Sequence, residues 1–190
     1  MEEYLDTNDI ELVELAKEGD KLALTALILQ YEEQVVKTIT GMLGKCQEVG
    51  DISQETFVRF YQSLNNFKCK SSVGTYITRI AINLSLNEIK RKKRKNFLFS
   101  KNDDDNILQI PDTNLSQHLE KNDLKEIVNK AVQLLEPKYR TVIVLKLIDG
   151  YSTKEISETI GIRKSSVLTR LSRAQEKLRN KLKYFIDDLL

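Results

Sequence analysis

Near the carboxyl end, Val167, Leu171, Ala174, Leu178 and Leu182 recur at steps of four, three, four and four, a spacing that buries all five only as the inner stripe of one long helix. The opposite face of that helix carries Lys164, Ser166, Thr169, Arg170, Arg173, Lys177 and Lys181. Just upstream, Ser152-Thr153-Lys154-Glu155 is a capping box, in which a hydroxyl and a carboxylate each satisfy a backbone N–H that the first helical turn leaves unpaired. Gly161 supplies the left-handed residue that ends this short helix before the longer one begins near Lys164. A short helix, a glycine turn and a longer helix with a basic outer face form the spacing of a helix-turn-helix, whose second helix fits the major groove of DNA. There Arg reads guanine edges, while Ser and Thr read several bases or bind phosphate. An amphipathic hairpin with a solvated basic face has the same pattern, so this segment alone leaves that alternative open.

The remainder also reads as helical. With 7 Gly and 2 Pro in 190 residues, and long stretches rich in Leu, Ile, Lys, Glu and Gln, an all-α chain of two small domains is expected. Ile10, Leu12, Val13, Leu15, Leu22, Leu24, Leu27, Ile28, Val35, Val36 and Ile39 predict two helices interrupted at Gly19-Asp20. After a break from Gly44 to Gly50, Asp51 with Gln54 resembles a capping box, and Ile52, Phe57, Val58, Tyr61 and Leu64 give the next helix an apolar face ending near Asn65-Asn66. Leu124, Ile127, Val128, Ala131, Leu134 and Leu135 predict a further helix, and Pro137 opens another through Leu147 before a turn at Asp149-Gly150. Residues 96–119 lose this periodicity and carry Asp103-Asp104-Asp105 and Pro111, the composition of an acidic flexible linker. The expected division is therefore 1–95, a linker at 96–123, and 124–190.

Charge is segregated along the chain although the whole carries only +2. Residues 1–66 hold 5 basic and 13 acidic side chains, whereas residues 67–101 hold 10 and 1. Residues 102–160 hold 7 and 11, and residues 161–190 hold 8 and 3. Two basic blocks, each preceded by an acidic one, point to two nucleic-acid contacts and to separate acidic surfaces for another partner. Within the first basic block, Val73, Tyr76, Ile77, Ile80, Ala81 and Leu84 line one side of a helix. Arg79, Asn83, Asn87 and Lys90 follow at steps of four, four and three as an exposed polar stripe. This helix runs into Lys90-Arg91-Lys92-Lys93-Arg94-Lys95, which either binds phosphate without reading sequence or is a solvated helix end.

Several function classes are disfavoured. One His and two Cys, with no CxxC pair, support neither a zinc site nor a disulfide framework, so no metal and a reducing cytoplasmic setting are expected. An enzyme acting on nucleic acid would need a metal cluster, a Gly-rich phosphate loop or a basic catalytic group, so no catalytic residue and no cofactor is assigned. Apolar runs such as Val142–Leu145 fall far short of the ~20 residues that span a bilayer, so no membrane insertion is expected.

Four motifs, in order, then show a resemblance. Asp51-Ile52-Ser53-Gln54-Glu55-Thr56-Phe57 resembles the "D-x-x-Q-E-x-F" helix of bacterial sigma-seventy factors, in their extracytoplasmic-function (ECF) group. Ser71-Ser72-Val73-Gly74-Thr75-Tyr76 through Arg79-Ile80-Ala81-Ile82-Asn83 is similar to the segment in which that group handles unpaired promoter DNA. Leu135-Glu136-Pro137-Lys138-Tyr139-Arg140 resembles the start of its carboxy-terminal domain, and Glu155-Ile156 through Ala174 resembles its helix-turn-helix.

The resemblance implies an alternative sigma factor that binds core RNA polymerase, promoter DNA and an anti-sigma protein. By it, Asp51, Gln54 and Glu55 face the clamp helices of the large polymerase subunit, unless Asp51 and Gln54 only cap their own helix. It gives the minus-ten element to Lys68, Lys70, Ser71, Ser72, Arg79, Asn83, Asn87 and Lys90. Tyr76 either stacks on a base or packs in the core, and its place on the apolar face favours the core. The minus-thirty-five element falls to Lys164, Ser165, Ser166, Leu168, Thr169, Arg170, Ser172 and Arg173. Asp103–Asp105 either imitate a phosphate chain in the RNA path of the polymerase or merely solubilise the linker. Val73, Gly74 and Tyr76 depart from the family's usual Phe, Arg and Trp, and Ser165 and Leu168 from its usual Gly and basic residue, which implies differently tuned strand opening and upstream recognition. A stand-alone helix-turn-helix regulator explains Thr153 to Arg179 but not the Asp51-to-Asn83 motifs.

Overall fold

The computed structural model describes residues 8–68, 70–100 and 121–187, so the expectations for Asp103–Asp105 and Pro111 lie outside the described residues. Its helices are α1 (Asp9–Lys17), α2 (Lys21–Leu43), α3 (Glu48–Ser63), α4 (Val73–Ser100), α5 (Lys121–Gln133), α6 (Pro137–Ile143), α7 (Thr153–Ile160) and α8 (Lys164–Asp187). A 3₁₀ turn at Leu64–Asn66 follows α3, and a π-helical stretch at Val144–Ile148 follows α6.

Local chemistry explains most of the boundaries. Asn8 and Asp20 cap α1 and α2 by accepting backbone N–H bonds from the first turn, and Gly19 takes φ 97° between the two helices. Pro137 sits in the first turn of α6, where its missing N–H costs nothing. Around α7 both halves of the Ser152/Glu155 capping box form, and Gly161 closes the helix at φ 68°, ψ 35°.

Three expectations are corrected. First, α3 begins at Glu48, a turn ahead of Asp51, and Gln47 makes no side-chain cap. Lys92 of α4 pairs with Glu48 at 2.8 Å and holds its carboxyl down at about 2, which fixes an acidic first turn at the positive end of the helix dipole. Asp51 and Gln54 therefore do not cap α3. Second, Val58 and Tyr61 are exposed, because the inward face of α3 runs through Ser53, Thr56, Phe57 and Phe60 into Leu64. Third, α4 continues through residues 96–100, where no Gly or Pro interrupts it, into the stretch expected to be linker.

Two cores form. The first gathers Leu12, Val13, Leu27, Ile39, Phe60, Leu64 and Ile77 from α1 to α4. The second gathers Leu135, Val142, Ile143, Leu145, Ile156, Val167, Leu171 and Leu178 from α5 to α8, together with Met42 of α2 and Ile82 of α4. The two halves are thus packed against each other, with α4 wedged between them. A Cβ placed on Gly41 would stand 2.7 Å from the Ile148 side chain and 3.1 Å from both Val144 methyls, so a glycine is what lets α2 approach the π-helical stretch.

Candidate nucleic-acid interface

Helix α8 buries four of the five residues in its apolar stripe, and Leu182 is half-buried. Val167, Leu171, Ala174 and Leu178 are buried, while Lys164, Ser165, Leu168, Thr169, Ser172 and Arg173 are exposed on the outer face. Ser166 and Arg170 are half-buried at its edge. Leu168, 58 % exposed, is an apolar tip among polar neighbours and suits a thymine methyl group. The Thr169 hydroxyl donates to the Ser165 carbonyl at 3.0 Å, which leaves its oxygen to accept and its methyl to touch. The Ser157 hydroxyl donates to the Ile162 carbonyl, so the turn that sets the angle between α7 and α8 is tied on both sides of Gly161.

The second basic surface lies where α4 begins. Lys68 and Lys70 are exposed and Ser71 is half-buried. Ser72 is the residue from which α4 starts: its hydroxyl accepts the Thr75 N–H at 3.1 Å and its carbonyl accepts the Tyr76 N–H. Tyr76 packs against Phe67, with ring centroids 4.9 Å apart, and against Phe60, which gives it the core role. Gly74 is buried beneath Tyr31, whose ring would lie 2.8 Å from any Cβ added there. The Tyr31 hydroxyl donates to the Asp9 carboxylate, and burial followed by this bond pushes its pKa up. The departure at Gly74 therefore has a packing reason: the site of a side chain is filled by Tyr31.

Of the polar stripe, Asn83, Asn87 and Lys90 are exposed and lie together on α4. Arg79 is turned away from them. Its Nε donates to the Thr159 carbonyl at 3.1 Å, and its Nη2 donates to the Glu158 carbonyl, both at the end of α7. Farther along, Arg91 is held by Glu88 and Lys92 by Glu48, while Lys90, Lys93 and Arg94 are exposed.

On α3, Asp51 and Gln54 are exposed, and Glu55 is half-buried and paired with Arg59 at 2.7 Å. Val58 and Tyr61 extend the same face. Sequence reasoning assigned these two to the core; the signal available was Phe60, which sits one residue before Tyr61 and fits the inward stripe better. No helix of the described residues is long and apolar enough to cross a membrane, and no cluster of three or more metal-binding side chains occurs among them.

Comparison with known proteins agrees with this geometry. Residues 27–95 match the family described as sigma-70 region 2, and residues 125–178 match that described as sigma-70, region 4. The chain belongs to the sigma-70 family of RNA polymerase sigma factors. Within it, the relatives define the ECF group. The chain is 31% identical over 177 residues to the ECF RNA polymerase sigma factor SigW of Bacillus subtilis, covering 90% of this chain and 95% of that one. It is 29% identical to the ECF RNA polymerase sigma-E factor of Haemophilus influenzae, covering 92% and 95%. Among solved structures, CnrH in complex with the cytosolic domain of CnrY aligns with a TM-score of 0.69 at 21% identity, over 94% of this chain and 99% of that one. RpoE in complex with the anti-sigma factor NepR from Bartonella quintana aligns at 0.62 and 20% identity, over 82% and 94%. The protein is an alternative sigma factor that directs transcription initiation.

Proposed function

We propose that this sigma factor divides promoter-specific initiation among three surfaces of its own. The observation that carries the division is the exposure pattern: polar side chains with no core role stand out on α3, at the start and along the outer side of α4, and on the outer face of α8.

Asp51, Gln54 and Glu55, extended by Val58 and Tyr61, bind the clamp helices of the large polymerase subunit. Carboxylates and an amide pair with cations on a partner helix, and an exposed Tyr beside them supplies apolar contact area. Lys68, Lys70, Ser71 and Ser72, with Asn83, Asn87 and Lys90, hold the minus-ten strand, and Arg79 joins them once it leaves the Glu158 and Thr159 carbonyls that it bonds in this structure. An unpaired base needs donors at its edges and cations along its backbone, and this surface offers both. Lys164, Ser165, Ser166, Leu168, Thr169, Arg170, Ser172 and Arg173 read the minus-thirty-five element from the major groove.

The chain assists polymerase chemistry and is assigned no catalytic step. It acts in the cytoplasm, where its polymerase is. An anti-sigma protein is its regulatory partner, since two structures of like fold were solved in complex with proteins of that kind or with a cytosolic domain. A stand-alone DNA-binding regulator would use α7 and α8 but leave the exposed acidic face of α3 without a role.

Run-off transcription with purified bacterial core polymerase over a genomic fragment library tests this. Discrete new start sites in the presence of the protein, sharing two spaced elements, are expected. A gel shift of duplex DNA by the protein alone, with no new starts, would favour the stand-alone regulator.

A further inference from the structure

We propose that α1 braces the segment that handles the minus-ten strand, and that Lys17 is a positioning residue for promoter opening. The proposal rests on the assignment of Lys68, Lys70, Ser71 and Ser72 to that strand made above. Helix α1 itself lies outside the residues matched as sigma-70 region 2.

The segment joins the 3₁₀ turn at Leu64–Asn66 to the start of α4, and α1 reaches both of its ends. At the near end, Lys17 Nζ donates to the Phe67 carbonyl at 3.3 Å and pairs with Glu14 at 2.8 Å. The Phe67 N–H closes the turn by donating to the Leu64 carbonyl, and the backbone is extended at Phe67, with φ -71° and ψ 114°. The turn's own ladder ends there, and a side chain takes the next carbonyl; a charged donor makes the stronger bond. At the far end, the Tyr31 ring covers Gly74, and the Tyr31 hydroxyl donates to one oxygen of Asp9. Gln30 Nε2 donates to the other oxygen at 2.8 Å. Asp9 opens α1 and Lys17 ends it, so one helix ~13 Å long meets Phe67 directly and Gly74 through Tyr31.

A brace has to be stiffer than what it holds. Leu12, Val13 and Ala16 are buried in the amino-terminal core, and Asn8 caps the helix. Phe67 is buried as well and packs on Tyr76 near the start of α4. Lys17 differs from the exposed Lys68 and Lys70, since its side chain is only 20 % exposed and its ammonium is engaged by Glu14 and the Phe67 carbonyl. It therefore acts on DNA through the segment and does not touch it. A loop already fixed in place gives up less freedom when it takes an unpaired strand, so the brace strengthens strand capture without adding a contact to it.

The test uses the full chain with core polymerase on a mapped promoter. Lys17→Met keeps the stem and removes the donor, Lys17→Arg keeps a charged donor, and Glu14→Ala keeps the bond to Phe67. Lys17→Met is expected to slow opening, read by permanganate reactivity of unpaired thymines, about tenfold. Binding of a single-stranded non-template oligonucleotide should weaken by a similar factor. Polymerase affinity and the gel shift of duplex minus-thirty-five DNA should stay within about twofold of wild type. Hydrogen exchange at Lys68, Lys70, Ser71 and Ser72 should quicken while exchange in α2 and α3 holds. Lys17→Arg should recover most of the opening rate, and Glu14→Ala should open as the wild type does.

Wild-type opening by Lys17→Met, or an equal loss of its polymerase affinity, overturns the brace. A loss in Glu14→Ala as large as in Lys17→Met also overturns it, because surface charge would then be the cause. If Lys17→Met does not fold, Tyr31→Phe decides: it keeps the ring over Gly74, ends the bond to Asp9, and should slow opening with polymerase affinity kept. Unchanged opening in that variant overturns the brace. Lys68→Ala with Lys70→Ala tests the reading beneath the proposal. If that pair opens the promoter as fast as wild type, the minus-ten assignment falls and the brace with it; if the pair is slow and Lys17→Met is not, the brace alone falls.

Discussion

The Thr38 hydroxyl of α2 lies 2.9 Å from the Asp149 carboxylate, a pair 111 residues apart in sequence. The same hydroxyl donates to the Gln34 carbonyl at 2.9 Å, so one hydrogen faces two acceptors. The second oxygen of Asp149 is buried with no hydrogen-bond partner among the described residues. Burial raises the Asp149 pKa from 3.8 to about 6, against a smaller lowering by Thr38. A protonated Asp149 can donate to Thr38 and relieves the conflict.

The sign of the pH effect follows. A carboxyl whose pKa is higher in the folded state binds its proton more tightly there, so its contribution is full below about pH 3.8 and is lost as pH rises through about 6. Between pH 5 and pH 8 the wild type should lose about 1.4 kcal/mol relative to Asp149→Asn, whose neutral amide does not titrate. Thermal unfolding of both proteins across that range checks it. Parallel pH profiles would remove Asp149 from the account.

Gly74→Ala is expected to destabilise the amino-terminal half by about 1–3 kcal/mol, because the added methyl meets the Tyr31 ring at 2.8 Å and that ring is anchored through Asp9. Because Ser71 and Ser72 immediately precede this turn, promoter opening, read by permanganate reactivity of unpaired thymines, should fall with it. Combining it with Tyr31→Leu should recover much of the stability. Recovery of stability without recovery of opening would assign Tyr31 itself a part in strand handling.

Arg140→Lys should cost about 2–3 kcal/mol although charge is kept. The guanidinium donates to the Met42 carbonyl at 2.6 Å, to Gln133 Oε1 at 2.9 Å, to the Leu135 carbonyl at 3.1 Å and to the Gln133 carbonyl. Its burial lowers its pKa to about 10. A lysine has three donors on one atom and cannot span acceptors on α2, on α5 and beyond its end at once. Denaturant titration measures the loss, and an unchanged midpoint would mean that the fork's reach is not used.

How far the sequence discloses such arrangements depends on how local the cause is. The helix-turn-helix was legible down to single residues, since its capping box, its glycine and its buried stripe are all short-range effects. The start of α3 was not, because a pair between Glu48 and the distant Lys92 fixes it. Helix α4 showed only one of its apolar faces. Val73, Ile77 and Ala81 enter the first core, but Ile82, with Leu86 and Ile89 beside it, enters the second, and a periodicity search assumes a single buried side. The partner of Arg79 was beyond reach for the same reason: nothing within several residues of it signals that α7 ends there.

The separation of polymerase binding from promoter reading gives the sharpest test of the three surfaces. Arg173 is exposed on α8 and has no structural partner among the described residues, so Arg173→Ala should leave stability and polymerase affinity unchanged while cutting promoter-specific run-off roughly tenfold or more, the size of one lost base contact of about 1–3 kcal/mol. Glu55→Lys should do the reverse. It ends the 2.7 Å pair with Arg59 and places a cation on the acidic face proposed to meet the clamp helices, so polymerase affinity should drop while binding of the carboxy-terminal half to duplex promoter DNA persists. Raising salt should weaken DNA binding by wild type and Glu55→Lys with equal slopes, and by Arg173→Ala with a slope shallower by up to about one if Arg173 also neutralises a phosphate. Equal loss of polymerase binding in both variants would mean that the surfaces on α3 and α8 do not work separately.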